Sequence, residues 1–132
     1  MHSKKQVRDL MSRPVKTLER NDLLSVADSA MRNERIRHLP VLDNGRLVGI
    51  VSQRDLFLSA LVRALGHALR LIVVQEVMTE DVVTTTPETP IAAAAQMMVD
   101  RKIGCLPVVE GNALVGILSE SDIVSAVARG DF

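Results

Sequence analysis

Shifted against itself by 67 residues, the chain matches itself without a gap. Val7-Arg8-Asp9-Leu10-Met11 falls on Val74-Gln75-Glu76-Val77-Met78, and Val15-Lys16-Thr17 on Val82-Val83-Thr84. Ile36-Arg37-His38-Leu39-Pro40-Val41 falls on Ile103-Gly104-Cys105-Leu106-Pro107-Val108. Leu47-Val48-Gly49-Ile50-Val51-Ser52-Gln53-Arg54-Asp55 then falls on Leu114-Val115-Gly116-Ile117-Leu118-Ser119-Glu120-Ser121-Asp122. Agreement clustered this way at one offset marks a duplication, so whatever one copy folds into, the other should fold into as well. A copy of about 60 residues has little core of its own, and the two are expected to bury surface against each other.

Within each copy the pattern reads as a short strand, a helix, a two-stranded hairpin and a closing helix. Leu23, Val26, Ala27, Ala30 and Met31 recur at helical spacing, and Ala93, Ala94, Met97 and Met98 repeat the stripe. Asp22 stands at the expected N-cap of the first helix. Its counterpart Thr89 is followed by Pro90 at a favourable first helical position. Asn44-Gly45 between Leu39-Pro40-Val41-Leu42-Asp43 and Arg46-Leu47-Val48-Gly49-Ile50-Val51 is a hairpin signal, because both residues tolerate positive φ. Gly111-Asn112 holds the same place in the second copy. Closing helices are expected from Arg54 to about Ile72 and from Glu120 to about Arg129. The first carries Phe57, Ala60, Leu61, Ala64, Leu65, Ala68 and Leu69 on one stripe and Ser59, Arg63, His67 and Arg70 on another, with Gly66 able to break it.

These elements resemble the CBS (cystathionine-beta-synthase-type) repeat, and the chain is similar to a tandem CBS pair, or Bateman module, over nearly its whole length from Val7 to Arg129. The resemblance implies an α+β (α/β) fold of two β-α-β-β-α repeats packed sheet to sheet about a pseudo-twofold axis. The repeats span 7–62 and 74–129, with 63–73 as a helical connection. Two clefts between the copies are implied, each taking an adenosine-containing ligand of the AMP, ADP, ATP or S-adenosylmethionine class. The carboxylate of a Ser-x-x-Asp motif holds the ribose and the hydroxyl lies near phosphate. Those roles fall to Asp55 with Ser52 and to Asp122 with Ser119.

The chemistry is sensible without the resemblance. A carboxylate only accepts hydrogen bonds and so suits a vicinal diol with two donors. Each motif also follows a strand and opens a helix, where free N–H groups favour an anion. The same spacing is that of a capping box, in which the acid serves only the helix start. Capping and binding are compatible.

By the same resemblance, adenine lies against residues of the opposite copy: Val83, Thr84 and Ile103 for the cleft of Asp55, and Lys16, Thr17 and Ile36 for that of Asp122. For the Val and Ile residues plain core burial is the competing reading. Arg37, His38 and Arg54 stand by the first motif as phosphate contacts, since Arg grips phosphate with two parallel donors. The second copy has Gly104, Cys105 and Ser121 there, with Glu120 adjacent. Charged nucleotides are therefore expected to bind more tightly at Asp55.

Composition closes off other classes. Lys plus Arg and Asp plus Glu stand at 16 each, and the zero net charge argues against DNA and RNA as partners. Two Phe, no Trp and no Tyr leave no platform for stacking bases. One cysteine, Cys105, precludes an internal disulfide and fits a reducing compartment. No signal peptide is visible, and the most apolar stretch, Leu56 to Val74, is broken by Arg63, His67 and Arg70, so a cytoplasmic protein off the membrane is expected. No Cys/His spacing suits a metal, and no Walker loop or nucleophile elbow occurs. The sequence thus points to a regulatory binding module rather than an enzyme, with no catalytic cofactor or metal. A homodimer through exposed helix faces and an unidentified regulated protein are the expected partners. A structural module with vestigial clefts is the alternative.

Overall fold

A computed structural model describes residues 5–64 and 72–131. The chain forms two compact units, and they are not cut at the repeat boundaries. One comprises Lys16–Val82; the other combines Met1–Val15 with Val83–Phe132. The chain therefore passes between units twice, and each unit contains pieces of both repeats.

The Lys16–Val82 unit holds β1 (Leu18–Glu19), α2 (Leu24–Glu34), β2 (His38–Asp43), β3 (Arg46–Ser52) and α3 (Gln53–Ala64). β1 runs parallel to β2 and β3 antiparallel to it, in the order β1-β2-β3. Leu18, Leu24, Ala27, Met31, Leu39, Val41, Val51 and Val74 form its core. The other unit holds α1 (Val7–Leu10), α4 (Ile91–Arg101), β4 (Cys105–Glu110), β5 (Ala113–Ser119) and α5 (Glu120–Ala128). Its core comprises Val7, Leu10, Ile91, Ala94, Met98, Leu106, Val108, Leu118 and Ala126. Where β1 stands in the first unit, the second has a single parallel bridge from Thr85 to Val108.

Both hairpins form as expected, and both carry the same irregularity one residue before the glycine that the two copies share. Val41 pairs Gly49 while Leu42 pairs Leu47, and Val108 pairs Gly116 while Val109 pairs Leu114. Asn44 and Gly45 both have positive φ, 52° and 81°, as a type I′ turn requires. In the second turn the positive φ falls on Gly111, at 60°, the position a type II′ turn demands, and Asn112 does not share it.

The leading segment of each copy is built onto the hairpin of the other. Ser12 N donates to Ile117 O at 2.9 Å and Ile117 N returns to Ser12 O at 3.1 Å. Sixty-seven residues on, Thr79 N donates to Ile50 O at 2.9 Å and Ile50 N to Thr79 O at 3.0 Å. The preceding turns repeat the exchange: Val7 N reaches Thr89 O and Val74 N reaches Asp22 O, each at 2.8 Å. The short helices α1 and Val74–Glu76, a single 3-10 turn, are the same element in the two copies.

This exchange corrects the expected helix starts. Asp22 is not the cap of α2; its Oδ2 accepts from Glu19 N at 2.8 Å, closing the turn after β1. Thr89 likewise turns back to the Thr86 hydroxyl at 2.9 Å, and Pro90, not Thr89, is the N-cap of α4. A side-chain cap is redundant there. The N–H of Leu24 donates to Ile72 O at 2.8 Å and that of Ile91 to Lys5 O at 3.0 Å, so the incoming segment satisfies a donor that a helix start leaves unpaired.

The buried stripe of α2 keeps the expected Ala27, Ala30 and Met31 and includes Leu24, while Leu23 and Val26 are exposed. In α4, Ile91, Ala94 and Met98 are buried and Ala93 is exposed. The helix expected to reach Ile72 is described as far as Ala64, and Ile72 and Val73 are not helical. Leu65, Gly66, His67, Ala68, Leu69 and Arg70 lie outside the described residues. Of the apolar stripe that is described, Phe57 is 67% and Leu61 49% exposed, so it is surface rather than core.

The glycine of each Leu-Val-Gly-Ile run makes the exchange sterically feasible. A Cβ on Gly49 would collide with the Met78 Sδ and lie 2.8 Å from its Cγ and 3.1 Å from Thr79 O. On Gly116 it would stand 2.6 Å from Met11 Sδ and 3.3 Å from Ser12 O. Gly49→Ala and Gly116→Ala are each expected to lower the unfolding free energy by about 1–3 kcal/mol in urea titrations. A second expectation concerns fragments. Residues 16–82, which form a complete unit, should unfold cooperatively by circular dichroism, whereas residues 7–62, one sequence repeat, should not.

Candidate functional site

β3 and β5 each end in a serine that opens a helix, and an aspartate follows in the first turn. Gln53 N donates to Arg37 O at 2.8 Å, tying the start of α3 to the chain entering β2, where His38 pairs Ser52 across the sheet. Ser52, Asp55, Arg37 and His38 are thus brought to one end of the hairpin, with Arg54 on the same helical turn and Ile36 next to Arg37. Arg37 and Arg54 are exposed and His38 is half-buried. The second unit repeats the frame: Glu120 N donates to Gly104 O at 2.9 Å and Cys105 pairs Ser119.

Both aspartates are capping-box residues. Asp55 Oδ2 accepts from Ser52 N at 2.8 Å, and Asp55 N donates to Ser52 Oγ at 3.1 Å. Asp122 Oδ2 accepts from Ser119 N at 2.8 Å, and Asp122 N donates to Ser119 Oγ at 3.3 Å. The capping reading is thereby realised at both motifs, each with one carboxylate oxygen. The box also holds the carboxylate at a fixed attitude at the strand–helix junction.

The second oxygens differ. Among the described residues Asp55 Oδ1 has no hydrogen-bond partner. Asp122 Oδ1 accepts from Ser12 Oγ at 3.1 Å, and the Ser119 hydroxyl adds a bond to Oδ2 at 3.0 Å. Ser12 escaped the sequence reading. The available signal was a hydroxyl residue directly after the repeated methionine, Ser12 after Met11 and Thr79 after Met78.

The remaining candidates sort by unit. Lys16, Thr17 and Ile36 belong with Asp55, and Val83, Thr84 and Ile103 with Asp122. Ile36 packs against the core of the first unit, and Val83 and Ile103 against that of the second, all three only partly buried. Burial and a ligand wall are both open to such residues. In the second unit Arg37, His38 and Arg54 are replaced by Gly104, buried Cys105 and exposed Ser121, whose hydroxyl lies 2.9 Å from Ser119 Oγ. That end has lost its cations.

Burial, and secondarily the charge of Glu120, push the Cys105 thiol up to about 12. Only the thiolate is nucleophilic, so this cysteine is inert near neutral pH. Among the described residues no cluster of His, Cys, Asp or Glu could hold a metal, and no helix is long and apolar enough to cross a membrane.

Duplicated β-α-β-β-α units with a Ser-x-x-Asp helix start in each define a tandem-repeat module of mixed α/β class. A family model for the CBS domain matches residues 7–61 and 74–129, and the chain belongs to that family. It is 39% identical over 119 residues to homoserine O-acetyltransferase of Methanococcoides burtonii, an alignment covering 89% of this chain and 23% of that protein. It is 31% identical over 117 residues to the CBS domain-containing protein YhcV of Bacillus subtilis, covering 89% of this chain and 81% of that one.

Among solved structures, a protein of Vibrio cholerae assigned to acetoin utilization (AcuB) superposes with a TM-score of 0.86 at 39% identity, over 97% of this chain and 95% of that one. The CBS domain pair of protein MJ0100, in complex with 5′-methylthioadenosine and S-adenosyl-L-methionine, gives 0.82 at 30% identity, over 98% and 100%. CBSX2 in complex with AMP gives 0.82 at 25%, over 97% and 99%.

The raised thiol sets an expectation for Cys105. With a pKa of about 12 its thiolate fraction falls some tenfold for each pH unit below that value. In the folded protein at pH 7.5, about where such assays are run, it should resist iodoacetamide for hours, and in denaturant it should alkylate within minutes, as read by intact mass.

Proposed function

We propose that this chain is a regulatory module that binds an adenosine-containing ligand between its two repeats. The observation that carries the reading is the Asp55 carboxylate, fixed by one oxygen to the Ser52 backbone while the other accepts from no described residue. A ribose diol offers two donors to such a group. The phosphate falls to Ser52, Arg37, His38 and Arg54, and the adenine to Val83, Thr84 and Ile103 of the second repeat. The weaker site has ribose at Asp122, phosphate near Ser119, and adenine by Lys16, Thr17 and Ile36. The solved CBS pairs that carry AMP, methylthioadenosine and S-adenosylmethionine support this ligand class.

The mechanism is population shift. A ligand that binds one arrangement of the repeats more tightly changes the surface offered to a partner, and only by that difference in affinity. The module acts without a catalytic cofactor, in the cytoplasm, as a homodimer through the exposed faces of its helices, on a regulated protein or domain. The match to a quarter of a homoserine O-acetyltransferase is in keeping with such a module serving an enzyme.

The capping boxes favour a second reading, in which both aspartates serve only their helices and the chain acts through dimerisation. Titration calorimetry with AMP, ADP, ATP and S-adenosylmethionine separates the two. We expect at least one ligand to bind. Asp55→Ala should weaken it at least tenfold, about 1.4 kcal/mol, and Asp122→Ala should weaken it much less. Equal losses would remove the asymmetry between the sites, and no binding by any of the four would leave the structural reading in place.

A further inference from the structure

Asp55 and Asp122 occupy the same position of the repeat, yet their carboxylates are not equally open. An ionised carboxylate has about four lone-pair directions. Among the described residues one is taken at Asp55, by Ser52 N. At Asp122 three are taken, by Ser119 N, Ser119 Oγ and Ser12 Oγ. One acceptor direction remains there for a diol that presents two donors.

Ser12 is delivered to Asp122 by its backbone. Both its N and O pair with Ile117, at 2.9 and 3.1 Å, so the residue is held as an added strand position beside β5. Thr79 is held beside Ile50 by the same two bonds, and its hydroxyl makes no hydrogen bond to Asp55 or to any other described residue. The difference between the sites therefore arises in the side chain and not in the frame. Ser12 is exposed, so its hydroxyl can rotate into water without disturbing the core.

We infer that Ser12 is an internal occupant of the second ribose site: its hydroxyl takes the carboxylate edge that a ribose hydroxyl would take, and a ligand at Asp122 must displace it. This rests on the adenosyl-binding reading above. Ser12 thereby sets the order of filling, with Asp55 first, and lowers the value of a ribose diol at Asp122. The effect adds to the loss of cations at that end and is separable from it, because the hydroxyl acts on the sugar and the cations on the phosphate.

The test is calorimetric titration of the full chain with AMP and with S-adenosylmethionine, in an Asp55→Asn background that leaves Asp122 as the site read. Ser12→Ala should tighten binding at Asp122 by about tenfold, the scale of one hydrogen bond to a charged group. 2′-Deoxy-AMP, which has lost one donor of the diol, should gain clearly less than AMP. If the Asp55→Asn chain does not fold, the second step of a two-site titration on the otherwise wild-type chain gives the same comparison. Unchanged or weaker binding at Asp122 in Ser12→Ala, with Asp55 still binding, overturns the role of Ser12 and leaves the ligand reading intact. No binding at Asp55 in either the wild-type or the Ser12→Ala chain overturns the ligand reading and this inference with it.

Discussion

Two pairs of backbone hydrogen bonds, Ser12 with Ile117 and Thr79 with Ile50, hold the leading segment of each repeat on the hairpin of the other. Much else follows from them. They bring Val7 and Leu10 into the core of one unit and Val74 into that of the other. They bring the carbonyls of Lys5 and Ile72 to the starts of α4 and α2, so those helices begin on Ile91 and Leu24 with a main-chain partner in place of a side-chain cap. They also demand close approach at Gly49 and Gly116, where any Cβ meets a methionine side chain and a backbone oxygen. A duplicated sequence would ordinarily fold as two self-contained copies. Here reciprocity makes each copy a condition for the other, and two repeats too small to bury much surface alone share the task.

The same exchange shapes the site. The strand that receives the leading segment is the strand whose end carries Ser-x-x-Asp, so a hydroxyl residue from the other repeat pairs with each strand two residues before its serine. In one unit that residue is Ser12, bonded to Asp122; in the other it is Thr79, whose hydroxyl bonds no described residue. Capping occupies one oxygen of each carboxylate. That bond fixes the carboxylate, and pre-fixed groups lose less freedom when a ligand arrives.

Local features were legible in the sequence. Asn44-Gly45 specified its turn because positive φ is a property of those two residues, and the helices showed in their apolar spacing because one face of each must be buried. The tandem family was legible because the motifs recur in order. The register of the helices was less so: Asp22 looked like a cap because Asp is a good cap, and nothing nearby in the chain reveals that Ile72 supplies the carbonyl instead. The exchange itself was hidden for a deeper reason. Aligning the copies at one offset places each leading segment with its own repeat, and similar repeats leave no local mark of which hairpin the segment joins. Ser12 and Asp122 are 110 positions apart, and their meeting is a consequence of that choice. Phe57 and Leu61 raise the converse problem, since an apolar stripe reads alike whether it lines a core or, as here, lies on the surface.

A duplication begins with two equal sites, and the differences between these two run in one direction. Arg37 corresponds to Gly104, His38 to Cys105 and Arg54 to Ser121, so the second copy has fewer cationic groups at these positions. Burial then keeps Cys105 a neutral thiol, so no charge returns there. The polar groups near Asp122 turn inward on one another: Ser121 to Ser119, Ser119 to Asp122, Ser12 to Asp122. At the first junction the chain keeps Arg37 and Arg54 exposed, and Asp55 accepts only from Ser52 among the described residues. The shared backbone frame keeps the same strand–helix junction in both units while the side chains around it differ.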